Sequence, residues 1–190
     1  MKTVIFDFFG VICSEIAPFV LPKYMSATDA VRYKATIVQD ADLGIISQGE
    51  MFARLSQIAQ VPAARLEEEF WSYVRIDSAT VALIERVRRS TKVALLTNAI
   101  VPFVRKIMAR HDLARLFDTI AVSAEEHMAK PDPAFFRLLL DRMGVAPKDA
   151  VFLDDNPINL EGAKNAGLDT ILFVSAGQAE RELKERHGIG

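Results

Sequence analysis

The sequence predicts an α/β fold: a Rossmann-like parallel sheet with helices on both faces, carrying a small helical cap inserted after the first strand. Three observations predict it. Short runs rich in Val, Ile, Leu and Phe recur along the chain, helical patterns with readable ends separate the later runs, and the gap between the first two runs is far too long for a simple crossover. The runs are nearly continuously apolar instead of alternating, as expected for parallel strands covered on both faces.

The first run is Thr3–Phe9, interrupted by Asp7. Roughly eighty residues separate it from the second run, Lys92–Thr97, where a crossover needs only a dozen or so. Residues 14–75 read as helical, with apolar positions at Val31, Ala35 and Val38, then Met51, Leu55 and Ile58, then Leu66, Phe70 and Trp71. This assigns 1–13 and 77–190 to the α/β core and 14–76 to the cap, with a core helix over Ser78–Arg89. Further strands are expected at Thr119–Ser123, Ala150–Asp154 and Thr170–Val174. Asp132 before Pro133 and Asn156 before Pro157 read as helix N-caps, and Gly144 and Gly167 mark the far ends. Ala163 and Ala166 are small enough to let the second of these helices lie close on the sheet.

With 190 residues, 51% of them hydrophobic, the chain can bury a full core. Cys13 is its one cysteine, so no intrachain disulfide is possible, and a reducing compartment, the cytoplasm, is expected. A net charge of −2 with acids and bases intermixed provides no basic field for nucleic acid. No apolar run reaches membrane-spanning length. A monomer or homodimer is expected.

Four polar signals fall at the C-terminal ends of successive strands, where open α/β sheets bind ligands: Asp7, Thr97–Asn98, Lys130 and Asp154–Asp155. If the first and fourth strands are neighbours, Asp7 faces Asp154 and Asp155. Three crowded carboxylates repel one another unless a cation lies among them, which asks for a hard, oxygen-seeking metal such as Mg²⁺. Lys130 brings a point positive charge, and the Thr97 hydroxyl and Asn98 amide bring donors, a set suited to a phosphoryl group under in-line attack by the Asp7 carboxylate.

The motifs Val4-Ile5-Phe6-Asp7-Phe8-Phe9-Gly10-Val11, Leu95-Leu96-Thr97-Asn98, Lys130-Pro131-Asp132-Pro133 and Val151-Phe152-Leu153-Asp154-Asp155-Asn156-Pro157-Ile158-Asn159 appear in that order. Together they resemble the haloacid dehalogenase-like (HAD) hydrolase superfamily, in its branch with a cap after the first motif, and within it the small bacterial sugar-phosphate phosphatases. The resemblance implies Asp7 as nucleophile and metal ligand, the Phe9 backbone carbonyl on Mg²⁺, Thr97 and Asn98 on the phosphoryl group, and Lys130 as neutralising charge. It further implies Asp155 on the metal, Asp154 there directly or through water, and Asn159 orienting the loop. The substrate implied is a small phosphorylated molecule.

One position departs from that pattern. Most phosphatases of the family carry a second Asp two residues after the nucleophile, as general acid and then base; here it is Phe9, and a phenyl ring moves no proton. Either another group substitutes, or the leaving group needs little help. The dehalogenase branch has an aromatic residue at this position, so an aspartyl-ester dehalogenase is the alternative; Asp154 and Asp155 argue against it, because they would repel a halocarboxylate. A phosphonate-cleaving branch needs a cap lysine, and Lys23 and Lys34 read as solvated helix residues. A weakly active relative that binds a phosphorylated ligand or a partner is the non-enzymatic alternative. His127 stands where relatives often have Gly. His111, His127 and His187 lack metal-ligand spacing and read as surface or loop residues. In the cap, Tyr24, Tyr33, Trp71 and Arg75 are the candidate recognition groups, with packing preferred for Trp71.

Overall fold

The computed structural model describes residues 2–189. Its strands are β1 (Thr3–Phe6), β2 (Lys92–Thr97), β3 (Thr119–Val122), β4 (Ala150–Asp154) and β5 (Asp169–Leu172), joined in one parallel sheet ordered β3-β2-β1-β4-β5. Strand order reverses at β1, whose Phe6 lies opposite both Leu95 of β2 and Leu153 of β4. The crevice above β1 and β4 is therefore the topological switch point.

Side chains alternate across this sheet into two apolar layers. Val4, Phe6, Val93, Leu95, Val151 and Leu153 face one layer, while Ile5, Ala94, Leu96 and Phe152 face the other. Both are buried, which is why the strand sequences are apolar through their middles, with polar residues near their ends.

Three strands end differently from the sequence reading, β3 stopping one residue early at Val122. β1 stops at Phe6 because the Phe8 carbonyl accepts from the N–H groups of Ile12 and Cys13, both at 2.8 Å, closing a tight turn just beyond Asp7 at the C-terminal end of this central strand. β5 covers Asp169–Leu172, and Val174 beyond it is 74% exposed, since an edge strand buries only part of an apolar run.

Between β1 and β2 the chain forms α1 (Ala17–Val20), α2 (Ala27–Tyr33), a π-turn (Lys34–Val38), α3 (Gln39–Asp42), α4 (Gln48–Ala59) and α5 (Ala63–Ser72). Local chemistry sets these breaks. Ser26 caps α2 by accepting from the Asp29 N–H, Ser47 and Glu50 form a reciprocal capping box on α4, and Pro62 precedes α5. Of the apolar positions that marked this region as helical, Val31, Ala35 and Ile58 are exposed. The insertion leaves and rejoins the core side by side: the Ser14 N–H donates to the Arg75 carbonyl and the Asp77 N–H to that of Ile12, both at 2.9 Å.

The remaining helices are α6 (Ser78–Val87), α7 (Val101–Arg110), α8 (Ser123–Glu126), α9 (Pro133–Met143), α10 (Pro157–Asn165) and α11 (Ala176–His187). The helix starts read from sequence are present: Asp132 accepts from the Ala134 N–H and Asn156 from the Ile158 N–H. No helix among the described residues is long and apolar enough to cross a membrane.

Candidate active site

Each strand end at the switch point delivers a polar residue. Asp7 follows β1 directly, its N–H held by the Leu153 carbonyl at 2.9 Å. Asp154 ends β4 with no exposure at all, and Lys130 reaches in from the loop after α8. The Lys130 ammonium stands 2.7 Å from Asp7 Oδ1 and 2.7 Å from Asp154 Oδ2, and packs over the Phe152 ring. Burial alone would lower the Lys130 pKa, but the carboxylates of Asp7 and Asp154 outweigh it and hold the amine protonated. Asp7 is pushed up by burial first and by Asp154 second, with Lys130 opposing.

Two side chains hold this ion pair in place. Asn159 donates through Nδ2 to both Asp154 oxygens, at 3.1 and 2.9 Å, and the Asn156 N–H adds a third bond to Oδ1. Asn98 clamps Lys130 reciprocally: its Nδ2 donates to the Lys130 carbonyl and its Oδ1 accepts the Lys130 N–H, both at 2.9 Å. Its amide thus first positions Lys130. Thr97, fully buried at the end of β2, has a hydroxyl with no hydrogen-bond partner among the described residues.

Asp155 completes the group. Oxygen atoms of Asp7, Asp154 and Asp155 lie within 4.8 Å of one another. Burial, then Asp154 and Glu15, raise the Asp155 pKa, because the single ammonium of Lys130 cannot balance three carboxylates. Gly10 makes this placement possible. A Cβ there would lie 2.1 Å from Asp155 Oδ2, and its φ of +84° favours glycine in any case. An all-oxygen, acid-rich donor set with an excess of negative charge fits a hard divalent cation.

A cavity of about 650 Å³ opens from this cluster under the helical insertion. Asp7, Lys130, Asn98 and Asp155 form its polar end, with Phe9 beside them, while Val31, Val38, Met51, Phe52, Phe70 and Phe103 give it an apolar wall. A family model described as haloacid dehalogenase-like hydrolase matches residues 1–167. The chain belongs to that family.

Within the family, it is 35% identical over 114 residues to phosphoserine phosphatase of Thermus thermophilus, a match covering 57% of this chain and 46% of that one. It is 32% identical over 83 residues to a phosphorylated carbohydrates phosphatase of Thermotoga maritima, covering 44% and 38%. These matches span less than half the length of either relative. In fold it is similar to a HAD family enzyme of Bacteroides thetaiotaomicron solved with magnesium and inorganic phosphate, with a TM-score of 0.76 at 21% identity over 93% of this chain and 96% of that one.

Some sequence readings are corrected here. Tyr24, Tyr33, Trp71 and Arg75 do not line the cavity. Tyr24 donates to Glu69, Tyr33 to the Met51 carbonyl, and Arg75 to the carbonyls of Ser72 and Val74, while Trp71 packs on Phe103 at 4.7 Å, as preferred for it. The His187 ring is not on the surface: its side chain is 3% exposed, and its Nδ1 accepts from the Lys2 ammonium at 2.9 Å, α11 packing on α6 and β5. His127 has φ +53°, a left-handed conformation that glycine adopts most easily. Sequence reasoning missed Glu15, Asp42 and Gln48, all lining the cavity. An acid at Asp42, on the stripe Val31, Ala35, Val38, was the available signal.

Proposed function

We propose that this protein is a magnesium-dependent phosphatase of small phosphorylated metabolites, sugar phosphates or similar, acting through an aspartyl-phosphate at Asp7. The observation that carries the reading is the joining of Asp7, Lys130, Asp154 and Asp155 into one buried cluster at the switch point. Asp7, Asp155 and the Phe9 carbonyl would hold the ion, with Asp154 directly or through water. Bound there, Mg²⁺ supplies charge neutralisation for phosphoryl oxygens.

The chain's own groups do the rest. Asp7 presents a carboxylate oxygen to phosphorus, Lys130 offsets the charge of nucleophile and phosphoryl group, and the unpartnered Thr97 hydroxyl is a donor in need of an acceptor. Residues 14–76 act as a cap over a core of 1–13 and 77–190, shielding the cavity from water. A cytoplasmic location fits the single, buried Cys13, whose thiol burial pushes up to about 11.

Phe9 keeps a dehalogenase as the second reading, opposed by the acid pair at Asp154–Asp155. Hydrolysis of 4-nitrophenyl phosphate by purified protein with and without Mg²⁺, beside Asp7→Asn and a chloroacetate control, separates them. Turnover that needs both Mg²⁺ and Asp7 supports the phosphatase. Metal-free halide release would replace it with the dehalogenase, and silence in both assays would favour a phospho-ligand-binding relative.

A further inference from the structure

The cavity is lined by two acids that the cluster at the strand ends does not use, Glu15 and Asp42. From Val31 through Lys34, Ala35, Val38 and Gln39 to Asp42, a single stripe of α2, the π-turn and α3 lines the cavity wall. The π-turn lies within this stripe, a local irregularity common where a helix serves a site. Asp42 ends it. Its carboxylate forms no hydrogen bond or ion pair with any described residue, whereas nearby Glu15 is paired with Lys34 at 3.4 Å.

The position of Asp42 is fixed by the core, not by the insertion alone. The Ser123 hydroxyl donates to the Asp42 carbonyl and accepts the Ala99 N–H at 2.9 Å, so one side chain joins Asp42 to the loop that follows Thr97–Asn98. Next to it, His127 Nδ1 meets the Leu43 carbonyl at 2.9 Å, and Gly44 lies against the Ala124 carbonyl with no room for a Cβ. The segment that holds Asp42 is therefore the one that leads into Lys130.

We propose that Asp42 is the general acid and base of this site, taking the place of the carboxylate that Phe9 lacks. The proposal rests on the phosphatase reading and deepens it. In the first step Asp7 forms a bond to phosphorus, the bond from phosphorus to the leaving oxygen breaks, and that oxygen takes the proton of the Asp42 carboxyl to depart as an alcohol. In the second, Asp42 as carboxylate takes a proton from the attacking water, the new oxygen binds phosphorus, and Asp7 leaves with its electron pair. Both carboxyl groups return to their starting states, with inorganic phosphate as product. In-line geometry directs the leaving oxygen away from Asp7 and towards the insertion, where Asp42 stands.

Protonation agrees with this role. Burial raises Asp42 to about 7, against the pull of Lys34, with Glu15 adding to it and Lys130 opposing. The acids of α8 are engaged elsewhere, Glu125 with Arg105 and Glu126 with Arg142. An acid of that strength is half protonated near neutrality, which suits a group that must give and then take a proton.

The test compares kcat/KM for two esters of similar size, benzyl phosphate and 4-nitrophenyl phosphate, in the full-length protein with Mg²⁺. Benzyl alkoxide needs a proton to leave and nitrophenolate does not. In Asp42→Asn, kcat/KM for benzyl phosphate should fall about 10²–10⁴-fold while that for 4-nitrophenyl phosphate changes by about tenfold or less. The wild-type benzyl phosphate profile should fall as pH rises through about 7, where Asp42 loses its proton, and the variant should lack that limb. Retained nitrophenyl turnover shows that the variant folds. Equal losses on both esters, no loss on either, or the same selective loss in Glu15→Gln would overturn the assignment. Wild-type protein that hydrolyses neither ester would end the phosphatase reading itself and this proposal with it.

Discussion

Gly162 of α10 lies so close to Pro131 that a Cβ at that position would stand 2.1 Å from the Pro131 carbonyl oxygen. Backbone on backbone at that distance cannot give way cheaply, and Pro131 is the residue next to Lys130. The helix that carries Asn159 thus buttresses, through its glycine, the loop that carries the buried ammonium.

Gly162→Ala should therefore displace Lys130 from its place between Asp7 and Asp154. An activity loss of about 10²-fold is expected from a shift near 1 Å, with about 1–3 kcal/mol of stability lost to overpacking. Gly49→Ala is the control, since a Cβ there meets only Ser47 Oγ at 3.9 Å and a helical alanine should be neutral or stabilising. Urea midpoints and kcat/KM for 4-nitrophenyl phosphate report both effects; unchanged kinetics in Gly162→Ala would refute the buttress.

Metal binding is testable without turnover. Mg²⁺ should raise the melting temperature of the wild-type protein, by an amount equivalent to about 2.7 kcal/mol at a hundredfold excess over its dissociation constant. Asp155→Asn should blunt that shift and, in EDTA, melt above the wild type, because it removes one of three mutually repelling carboxylates. Identical Mg²⁺ shifts in the two proteins would exclude Asp155 as a ligand.

Ser123→Ala removes the hydroxyl shared by Asp42 and Ala99. It leaves a carbonyl and an N–H without partners in a buried setting, at about 1–3 kcal/mol each. The insertion should be held less firmly over the strand ends, so KM for 4-nitrophenyl phosphate is expected to rise along with the loss of stability. Amide hydrogen exchange at Asp42–Gly44 measures the loosening directly, and wild-type protection there would contradict it.

Asp42 also makes stability depend on pH. Unfolded, it loses its proton near the ordinary value of 3.8; folded, it does so near 7 because burial disfavours the carboxylate. The folded chain binds the extra proton between those values, so stability falls as pH rises through this window and the full penalty applies above it. The shift corresponds to at most about 4 kcal/mol, less because the side chain is not fully enclosed. Asp42→Asn should be more stable than wild type at pH 8 and lose the advantage at pH 4, as read from urea unfolding. A constant difference across pH would show that Asp42 titrates normally.

Much of this architecture was legible along the chain. Continuous apolar runs located all five strands, and Asp132 and Asn156 marked helix starts to the residue, because capping is local chemistry between neighbours. Strand ends were less legible: nothing in Thr3–Phe9 reveals that the Phe8 carbonyl closes a turn, since that depends on N–H groups arriving from Ile12 and Cys13. In the insertion, Tyr24, Tyr33 and Arg75 looked available but were already committed to Glu69, Met51 and nearby carbonyls.

The sequence by itself determined the α/β class, the order of the strands along the chain and the acids, amine and hydroxyl that gather at their ends, because periodicity and capping act over a few residues. Only the tertiary structure decided that Asn98 clamps Lys130, that Gly10 and Gly162 are contact surfaces, and that Asp42 is pinned by Ser123 over the cavity. Those relations join residues tens of positions apart, and their energy exists only once packing has brought the partners together and removed the water that would otherwise satisfy each one alone.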